Sequence, residues 1–141
     1  MLLATCKCNW KCLKEQDLDI SICQNSNLAE QKTVDIPIRN IIDRYINNPI
    51  TKAIIIAGLE PILQFDEVIE FIKKLRNISD DDVVIYTGYY PEEIKTQIRE
   101  LEKYKNIIVK FGRYRHGGIK KYDKTLGVEL ISDNQFALKI S

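Results

Sequence analysis

The chain has 141 residues, 45% of them hydrophobic, and its 21 basic and 20 acidic side chains leave a formal net charge of +1. This length supports one hydrophobic core, which predicts a single domain over residues 1–141. The near-neutral charge excludes a general attraction to nucleic acid or to an anionic membrane. No apolar run reaches the roughly 18 residues of a membrane span, and the few residues before Cys6 are too short for an export signal. We therefore expect a cytoplasmic protein with no nucleic-acid or membrane partner.

The first third of the chain predicts a strand, a long loop and a helix. The apolar run at residues 1–5 predicts a strand, and the polar stretch that follows as far as Thr33 predicts a loop. Apolar residues then recur at helical spacing, with Asp35 as the expected cap, Pro37 in the first turn and the end near Asn47.

Strands and helices alternate through the rest of the chain. The apolar runs predict strands at residues 52–58, 82–88, 106–112, 126–132 and 136–140. Helices are predicted at 65–77, capped by Asp66, and at 91–104, where proline comes first and acids follow. This alternation predicts an α/β fold with a parallel sheet and right-handed crossovers, either doubly wound or curved into a partial barrel.

Unusual sequences follow the ends of the predicted strands. They are CKCNWKC at 6–12, AGLEP at 57–61, YTGYYP at 86–91, FGRYR at 111–115 and SDNQ at 132–135. The carboxyl ends of parallel strands lie at one edge of a sheet, where ligands commonly bind. The pattern predicts a single site at that edge, although glycine and proline also occur at strand ends simply to turn the chain.

All four cysteines lie between Cys6 and Cys23. In a reducing compartment, clustered cysteines are more often metal ligands or catalytic groups than disulfides. Three thiolates on a four-iron, four-sulfur cluster would leave one iron open to a cosubstrate, whereas four thiolates would give a closed cluster or a zinc site. Lys7, Lys11 and Lys14 lie among the thiols, where they either favour the ionised form of the cysteines or are ordinary solvated charges. Cysteine spacing alone leaves both possibilities open.

The cysteine-rich start, AGLEP, YTGY at 86–89 and the late SDNQ, in this order, resemble the radical S-adenosylmethionine family. Within it they resemble the proteins that activate anaerobic ribonucleotide reductase. The resemblance spans nearly the whole chain and implies a partial (β/α) barrel of the radical S-adenosylmethionine type, with short strands at the carboxyl terminus. The family's third cysteine would fall at Glu15, so the next thiol, Cys23, is displaced by eight residues. The match of Cys23-Gln24-Asn25 to the family's Cys-x-Asn supports Cys23 as the third ligand.

The resemblance also implies a cofactor, a reaction and a set of residues. Cys8, Cys12 and Cys23 would ligate a 4Fe-4S cluster, and S-adenosylmethionine would be the cosubstrate. The implied reaction is reductive cleavage to a 5′-deoxyadenosyl radical, which generates a glycyl radical on a partner such as the large subunit of anaerobic ribonucleotide reductase. An electron donor such as flavodoxin would supply the electron. The cosubstrate-binding residues implied by the motifs are Ala57, Gly58, Leu59, Glu60, Thr87, Tyr89, Ser132 and Asn134.

Alternatives remain for the ligands and for the function. Cys6 is a rival third ligand, because Cys6, Cys8 and Cys12 form a compact set, and as a fourth ligand it would give a non-catalytic iron–sulfur or zinc module. A radical enzyme with a small-molecule substrate, or an inactive relative, is a third possibility. The basic segment around His116, with Gly117 and Gly118, is either an ordinary solvated loop or a surface for a partner or for the cofactor carboxylate.

Overall fold

The computed structural model describes all residues from 1 to 141. Its strands are β1 (Leu2–Thr5), β2 (Ala53–Gly58), β3 (Asp82–Tyr86), β4 (Ile107–Phe111), β5 (Lys121–Asp123), β6 (Val128–Leu130) and β7 (Phe136–Lys139). Its α-helices are α1 (Lys11–Lys14), α2 (Ser26–Ala29), α3 (Ile38–Ile46), α4 (Phe65–Arg76) and α5 (Lys95–Leu101). Short 3-10 turns occupy Ile20–Ile22, Pro61–Gln64 and Pro91–Glu93.

Five strands form one sheet in the order β1-β2-β3-β4-β7. The first four are parallel, so Thr5 lies opposite Gly58 and Tyr86 lies opposite Lys110. The last strand, β7, runs antiparallel to β4, and β5 and β6 form a separate antiparallel hairpin. The carboxyl ends of β1 to β4 therefore share one edge of the sheet.

One face of the sheet carries the main core. Alternate strand residues such as Ile54, Val83 and Val109 pack with apolar residues of α3, α4 and α5, including Ile42, Ile72 and Leu101. The residues between them point to the other face, where Val84, Ile108 and Ala137 form a much smaller buried cluster. Since side chains alternate along a strand, Lys110 belongs to this second face.

The predicted partial barrel is wrong. The structure is a mixed α/β fold with a five-stranded sheet and a small hairpin, and 141 residues are few for the barrel of the radical S-adenosylmethionine type. Only four strands are parallel, because the chain after β4 turns into the hairpin and returns antiparallel as β7. β1 and β7 remain the two edges of an open sheet.

Several element boundaries also differ from the predictions. Pro37, rather than Asp35, precedes the first turn of α3, and Gln64, rather than Asp66, precedes α4. The predicted helix at 91–104 begins as the 3-10 turn Pro91–Glu93 and becomes α-helical at Lys95. The predicted loop up to Thr33 contains α1, the turn Ile20–Ile22 and α2.

The cysteine-bearing segment, residues 6–37, is held with little apolar burial. Leu13 is its one buried residue, whereas most of the buried apolar residues belong to the sheet and α3 to α5. Polar contacts must therefore supply much of what fixes this segment on the sheet. None of the helices combines the length and apolar character needed to cross a membrane.

Candidate functional site

A cleft lies where the cysteine-bearing segment meets the carboxyl ends of the strands. Cys8 and Cys12 line it from the segment, and Glu60, Gly88, Tyr89 and Arg113 line it from the ends of β2, β3 and β4. Asn9 and Lys11 complete the lining. The arrangement follows from the parallel register, which brings turns distant in sequence to one edge.

Cys23 lies close enough to Cys8 and Cys12 for its charge to affect both. Burial raises the pKa of the Cys8 thiol, and the nearby charges of Glu60 and Cys23 raise this pKa further. Burial likewise raises the pKa of the Cys12 thiol, with further increases from Cys23 and Cys8. We call Cys8, Cys12 and Cys23 the three-thiol set.

Cys6 is placed differently from the three-thiol set. It is exposed and does not line the cleft. Its backbone N–H donates to Gln64 Oε1 at 2.6 Å, which fixes the chain rather than the thiol. All four cysteines are free thiols.

The three-thiol set has the chemistry of an iron–sulfur ligand group. The backbone N–H groups of Trp10 and Asn25 donate to the sulfur atoms of Cys8 and Cys23, at 3.3 and 3.4 Å, and such bonds stabilise thiolates and tune a cluster. No group of three or more His, Cys, Asp or Glu side chains is arranged to hold a metal ion. Cys8, Cys12 and Cys23 are the residues that would hold a four-iron, four-sulfur cluster, which would supply one-electron redox chemistry. The soft sulfur donors fit such a cluster.

Glu60 joins the turns that follow β2 and β3. Its Oε1 accepts hydrogen bonds from Thr87 Oγ1 at 2.7 Å and from the backbone N–H of Ile62 at 3.1 Å, and its Oε2 accepts one from Gly88 N–H at 2.9 Å. Burial nevertheless raises the pKa of the Glu60 carboxyl group, although these bonds and Lys110 oppose the rise. A carboxylate has about four acceptor positions, so Oε2 retains one for a ligand in the cleft.

The Cys23 loop is bonded to the turn after β2. Asn25 Nδ2 donates to the carbonyl of Gly58 at 2.6 Å. Gly58 has φ +109°, and a Cβ there would lie 2.9 Å from Ala4 Cβ and 3.3 Å from Leu28 Cδ2. Glycine therefore allows β1 and the Cys23 loop to approach the turn closely.

Arg113 connects the end of β4 to the cysteine-bearing segment. Its guanidinium, with 9% of the side chain exposed, donates from Nη1 to Glu93 Oε2 at 2.8 Å. Its Nε lies 2.7 Å from Glu15 Oε2, as an ion pair without hydrogen-bond geometry. Lys11 Nζ also contacts Glu93, at 2.7 Å. The hydrogen bonds from Arg113 and Lys11 hold the pKa of Glu93 at about 2.

Lys110 is a buried cation on the second face of the sheet. The residue is 8% exposed, and its Nζ donates to the Gly112 carbonyl at 3.2 Å and lies 5.9 Å from the centre of the Tyr86 ring. No carboxylate lies within ion-pair distance of it. Burial lowers the pKa of Lys110 to about 8, although Glu60 and Cys12 act in the opposite direction.

The predicted cosubstrate-binding residues are divided between the cleft and its surroundings. Glu60 and Tyr89 line the cleft, and the Tyr89 hydroxyl accepts from Asn9 Nδ2 at 2.7 Å. Thr87 is buried and uses its hydroxyl on Glu60. Like Thr87, the remaining predicted residues do not line the cleft; they are Ala57, Gly58, Leu59, Ser132 and Asn134.

Ser132 and Asn134 each keep an unused polar atom. Ser132 is fully buried and its Oγ has no hydrogen-bond partner. Asn134 Nδ2 donates to the Tyr90 hydroxyl and to the Arg113 carbonyl, at 2.9 and 2.8 Å, while its Oδ1 has no partner. Buried polar atoms normally find partners, so these two are exceptions that contacts within the protein do not explain.

Sequence reasoning missed three residues that shape the site. Gln16 and Glu93 looked like ordinary surface residues, because the contacts that they make are with residues far along the chain. Lys110 carried a usable signal, since a lysine inside the apolar run IIVKF is unusual for a buried strand.

Comparison with known families gives one match. The model of the family described as 4Fe-4S single cluster domain matches residues 2–136, which is almost the whole chain. Neither a curated protein nor a solved structure matches the chain significantly. The match confirms the coarser part of the sequence interpretation, an iron–sulfur protein of the 4Fe-4S type.

Proposed function

The chain belongs to the 4Fe-4S single cluster domain family, and we propose, from the resemblance of its motifs, that it is a radical S-adenosylmethionine activase. In this proposal it cleaves S-adenosylmethionine reductively and generates a glycyl radical on a partner enzyme, anaerobic ribonucleotide reductase. The hydrogen atom removed from the partner's glycine leaves in 5′-deoxyadenosine. The protein would work in the cytoplasm.

The observation that carries the proposal is the separation of three thiols from the fourth. The charge of Cys23 acts on the thiols of Cys8 and Cys12, which line the cleft, whereas Cys6 is exposed outside it. When held by three thiolates, a 4Fe-4S cluster has an open iron for a cosubstrate and supplies the electron for its cleavage. A closed electron carrier would need a fourth thiolate from Cys6.

The charged side chains near the cleft suit the two ends of an amino acid. Glu60 Oε2 has an acceptor position left for an ammonium group. Lys110 is a buried cation with no acidic partner within ion-pair distance, and an anionic ligand group such as a carboxylate would offset the cost of burying its charge. Together they support binding of the methionine part of the cosubstrate.

Polar atoms without partners suit the remainder of the cosubstrate. Ser132 Oγ and Asn134 Oδ1 are buried and unpaired, and both residues follow β6. Asn134 lies near the end of β4, where it donates to the Arg113 carbonyl. A ribose hydroxyl could pair with either atom, because a hydroxyl both donates and accepts. Asn134 is the better placed of the two, since it also contacts Arg113, which lines the cleft.

The test uses anaerobically reconstituted protein. Iron and sulfide content and the absorption spectrum report the cluster, and release of 5′-deoxyadenosine from S-adenosylmethionine with dithionite reports the cleavage. Cys23→Ser should lose both, whereas the matched control Cys6→Ser should retain both. Adding the reductase should then give a glycyl radical signal in electron paramagnetic resonance.

Other outcomes would favour a different function. If Cys6→Ser and Cys23→Ser both lost the cluster, the site would have four ligands, and the chain would be a non-catalytic iron–sulfur module. If only Cys6→Ser lost it, Cys6 would be the third ligand in place of Cys23. A loaded cluster that never releases 5′-deoxyadenosine would contradict the activase proposal while leaving the family membership intact.

A further inference from the structure

A surface beside the cleft carries concentrated positive charge. We define the basic hairpin surface as the exposed residues Arg115, Ile119, Lys120, Lys121, Tyr122 and Lys124. The one acid between Arg113 and Lys124 is Asp123, which is buried and accepts from the backbone N–H groups of Leu126 and Ala137, at 3.0 and 2.9 Å. Asp123 therefore does not face the cations.

Most of these cations have no acidic partner within the protein. Lys120 lies 3.5 Å from Glu129, but Arg115, Lys121 and Lys124 form no ion pair. The whole chain has a net charge of only +1, so the positive charge of this surface is a local concentration and does not reflect a basic protein. Such a patch attracts an oppositely charged protein and accelerates its encounter.

Apolar side chains lie among the cations. Ile119 is 75% exposed and Tyr122 is 62% exposed. Tyr122 projects away from the sheet because its neighbour Asp123 points inward, and side chains alternate along a strand. Exposed aromatic and apolar residues close to charged ones are typical of protein interfaces.

One side chain bonds this surface to the cysteine-bearing segment. Gln16 Nε2 donates to the carbonyls of Cys12 and Tyr114, at 2.6 and 2.7 Å, and Gln16 Oε1 accepts from the backbone N–H of His116 at 3.0 Å. The loop that leads into the basic hairpin surface is thus fixed next to Cys12. A protein bound at the Arg115 end of this surface would therefore lie near Cys12.

We infer that the basic hairpin surface is the docking site for an acidic protein that donates electrons one at a time. The inference rests on the proposed function, in which each cleavage of the cosubstrate consumes one electron. That electron passes from the docked donor, which is oxidised, to the cluster, which is reduced, and no covalent bond changes in the transfer. Proximity to Cys12 favours a donor over a partner that only needs to be tethered.

The test uses flavodoxin, an acidic flavoprotein, and the full chain with its cluster loaded. The variant Lys120→Glu/Lys121→Glu/Lys124→Glu reverses the surface charge. The matched control is Lys52→Glu/Lys73→Glu/Lys95→Glu. It makes the same change of charge elsewhere on the protein, at three exposed lysines that form no ion pairs. Binding is measured by calorimetry at low salt and at about 0.15 M salt, and cluster reduction is followed by its absorbance.

The surface variant should bind flavodoxin about tenfold or more weakly than the control at low salt, with a smaller difference at high salt. Its cluster should be reduced more slowly by flavodoxin, yet dithionite should support the same 5′-deoxyadenosine release, because a small reductant needs no docking. Equal losses in both variants would overturn the inference. So would a loss of binding to the reductase or to single-stranded DNA with flavodoxin binding unchanged.

Failure of the inference and failure of the proposed function are distinguishable. If wild-type protein releases 5′-deoxyadenosine with dithionite but the surface variant binds flavodoxin as tightly as the control does, the docking inference alone is wrong. If no 5′-deoxyadenosine forms with any reductant while the charge-dependent binding and reduction persist, the docking inference stands and the activase proposal is wrong.

Discussion

Thr87 Oγ1 donates a 2.7 Å hydrogen bond to Glu60 Oε1, which ties the turn after β3 to the turn after β2. Glu60 is 6% exposed, so the bond is made almost without water. The same carboxylate binds the backbone of Gly88, a lining residue of the cleft. Glu60 therefore has a structural role in addition to the proposed contact with the cosubstrate.

Glu60→Ala should destabilise the fold and Glu60→Gln should separate the two roles. Alanine leaves Thr87 Oγ1 and Gly88 N–H without their acceptor, at about 1–3 kcal/mol of unfolding free energy for each buried group. Glutamine keeps a carbonyl oxygen for one of them but removes the negative charge, so binding of S-adenosylmethionine should fall more than stability does. Urea unfolding and calorimetric binding measure the two effects. Equal affinity in Glu60→Gln and wild type would contradict the assigned contact.

Gly58→Ala should destabilise the protein through a steric clash. The added Cβ would lie 2.9 Å from Ala4 Cβ, and the residue would be held at φ +109°. We expect a loss of about 2–4 kcal/mol, the sum of backbone strain and overpacking. The control is Gly117→Ala, where φ is +68° but no atom lies within 4 Å. A control that loses as much stability as Gly58→Ala would show that strain alone is responsible.

Acid should weaken the attachment of the cysteine-bearing segment through Glu93. Its pKa falls from the ordinary 4.5 to about 2, chiefly because Arg113 bonds the charged form. A lowered folded-state pKa means that this stabilisation is complete above pH 4.5 and is lost as the pH falls towards about 2. Thermal unfolding across this range should therefore change less steeply in Glu93→Gln. The neighbouring Glu92→Gln, which removes no ion pair, should retain the wild-type profile.

Lys110→Met should stabilise the unloaded protein and weaken cosubstrate binding. Methionine fills a similar volume without a buried charge, so we expect a gain of about 1–3 kcal/mol in unfolding free energy near neutral pH. Loss of the ammonium should raise the dissociation constant for S-adenosylmethionine. Lys73→Met, at an exposed position on α4, is the control and should change neither. Unchanged affinity in Lys110→Met would remove Lys110 from the proposed site.

The sheet was predictable where an apolar run forms an interior strand. The run KAIIIAG predicted a strand at 52–58, and the structure has one at Ala53–Gly58. A short, nearly continuous apolar run is typical of an interior strand of a parallel sheet, where its side chains are removed from water. The run FALKI also predicted a strand, but an apolar run does not encode the direction of pairing. The antiparallel pairing of β7 with β4, which leaves the sheet open, therefore could not be foreseen.

The site was predictable only in its local parts. Cys8, Cys12 and the turn at Glu60 were visible because their chemistry or turn residues stand out in the sequence, and the cleft brings them together. The contacts of Arg113 with Glu93 and of Gln16 with Tyr114 join residues separated by 20 and 98 positions. No local pattern specifies such pairs, because they depend on the assembled sheet.

Because residues 6–37 bury little apolar surface, loss of a cofactor held by this segment need not unfold the rest of the protein. With Leu13 as the one buried residue, detaching this segment exposes little hydrophobic surface and costs far less free energy than disrupting the sheet. Oxygen damage to a cluster held there would leave a folded body behind. Repair then requires fresh iron and sulfide rather than a newly made chain.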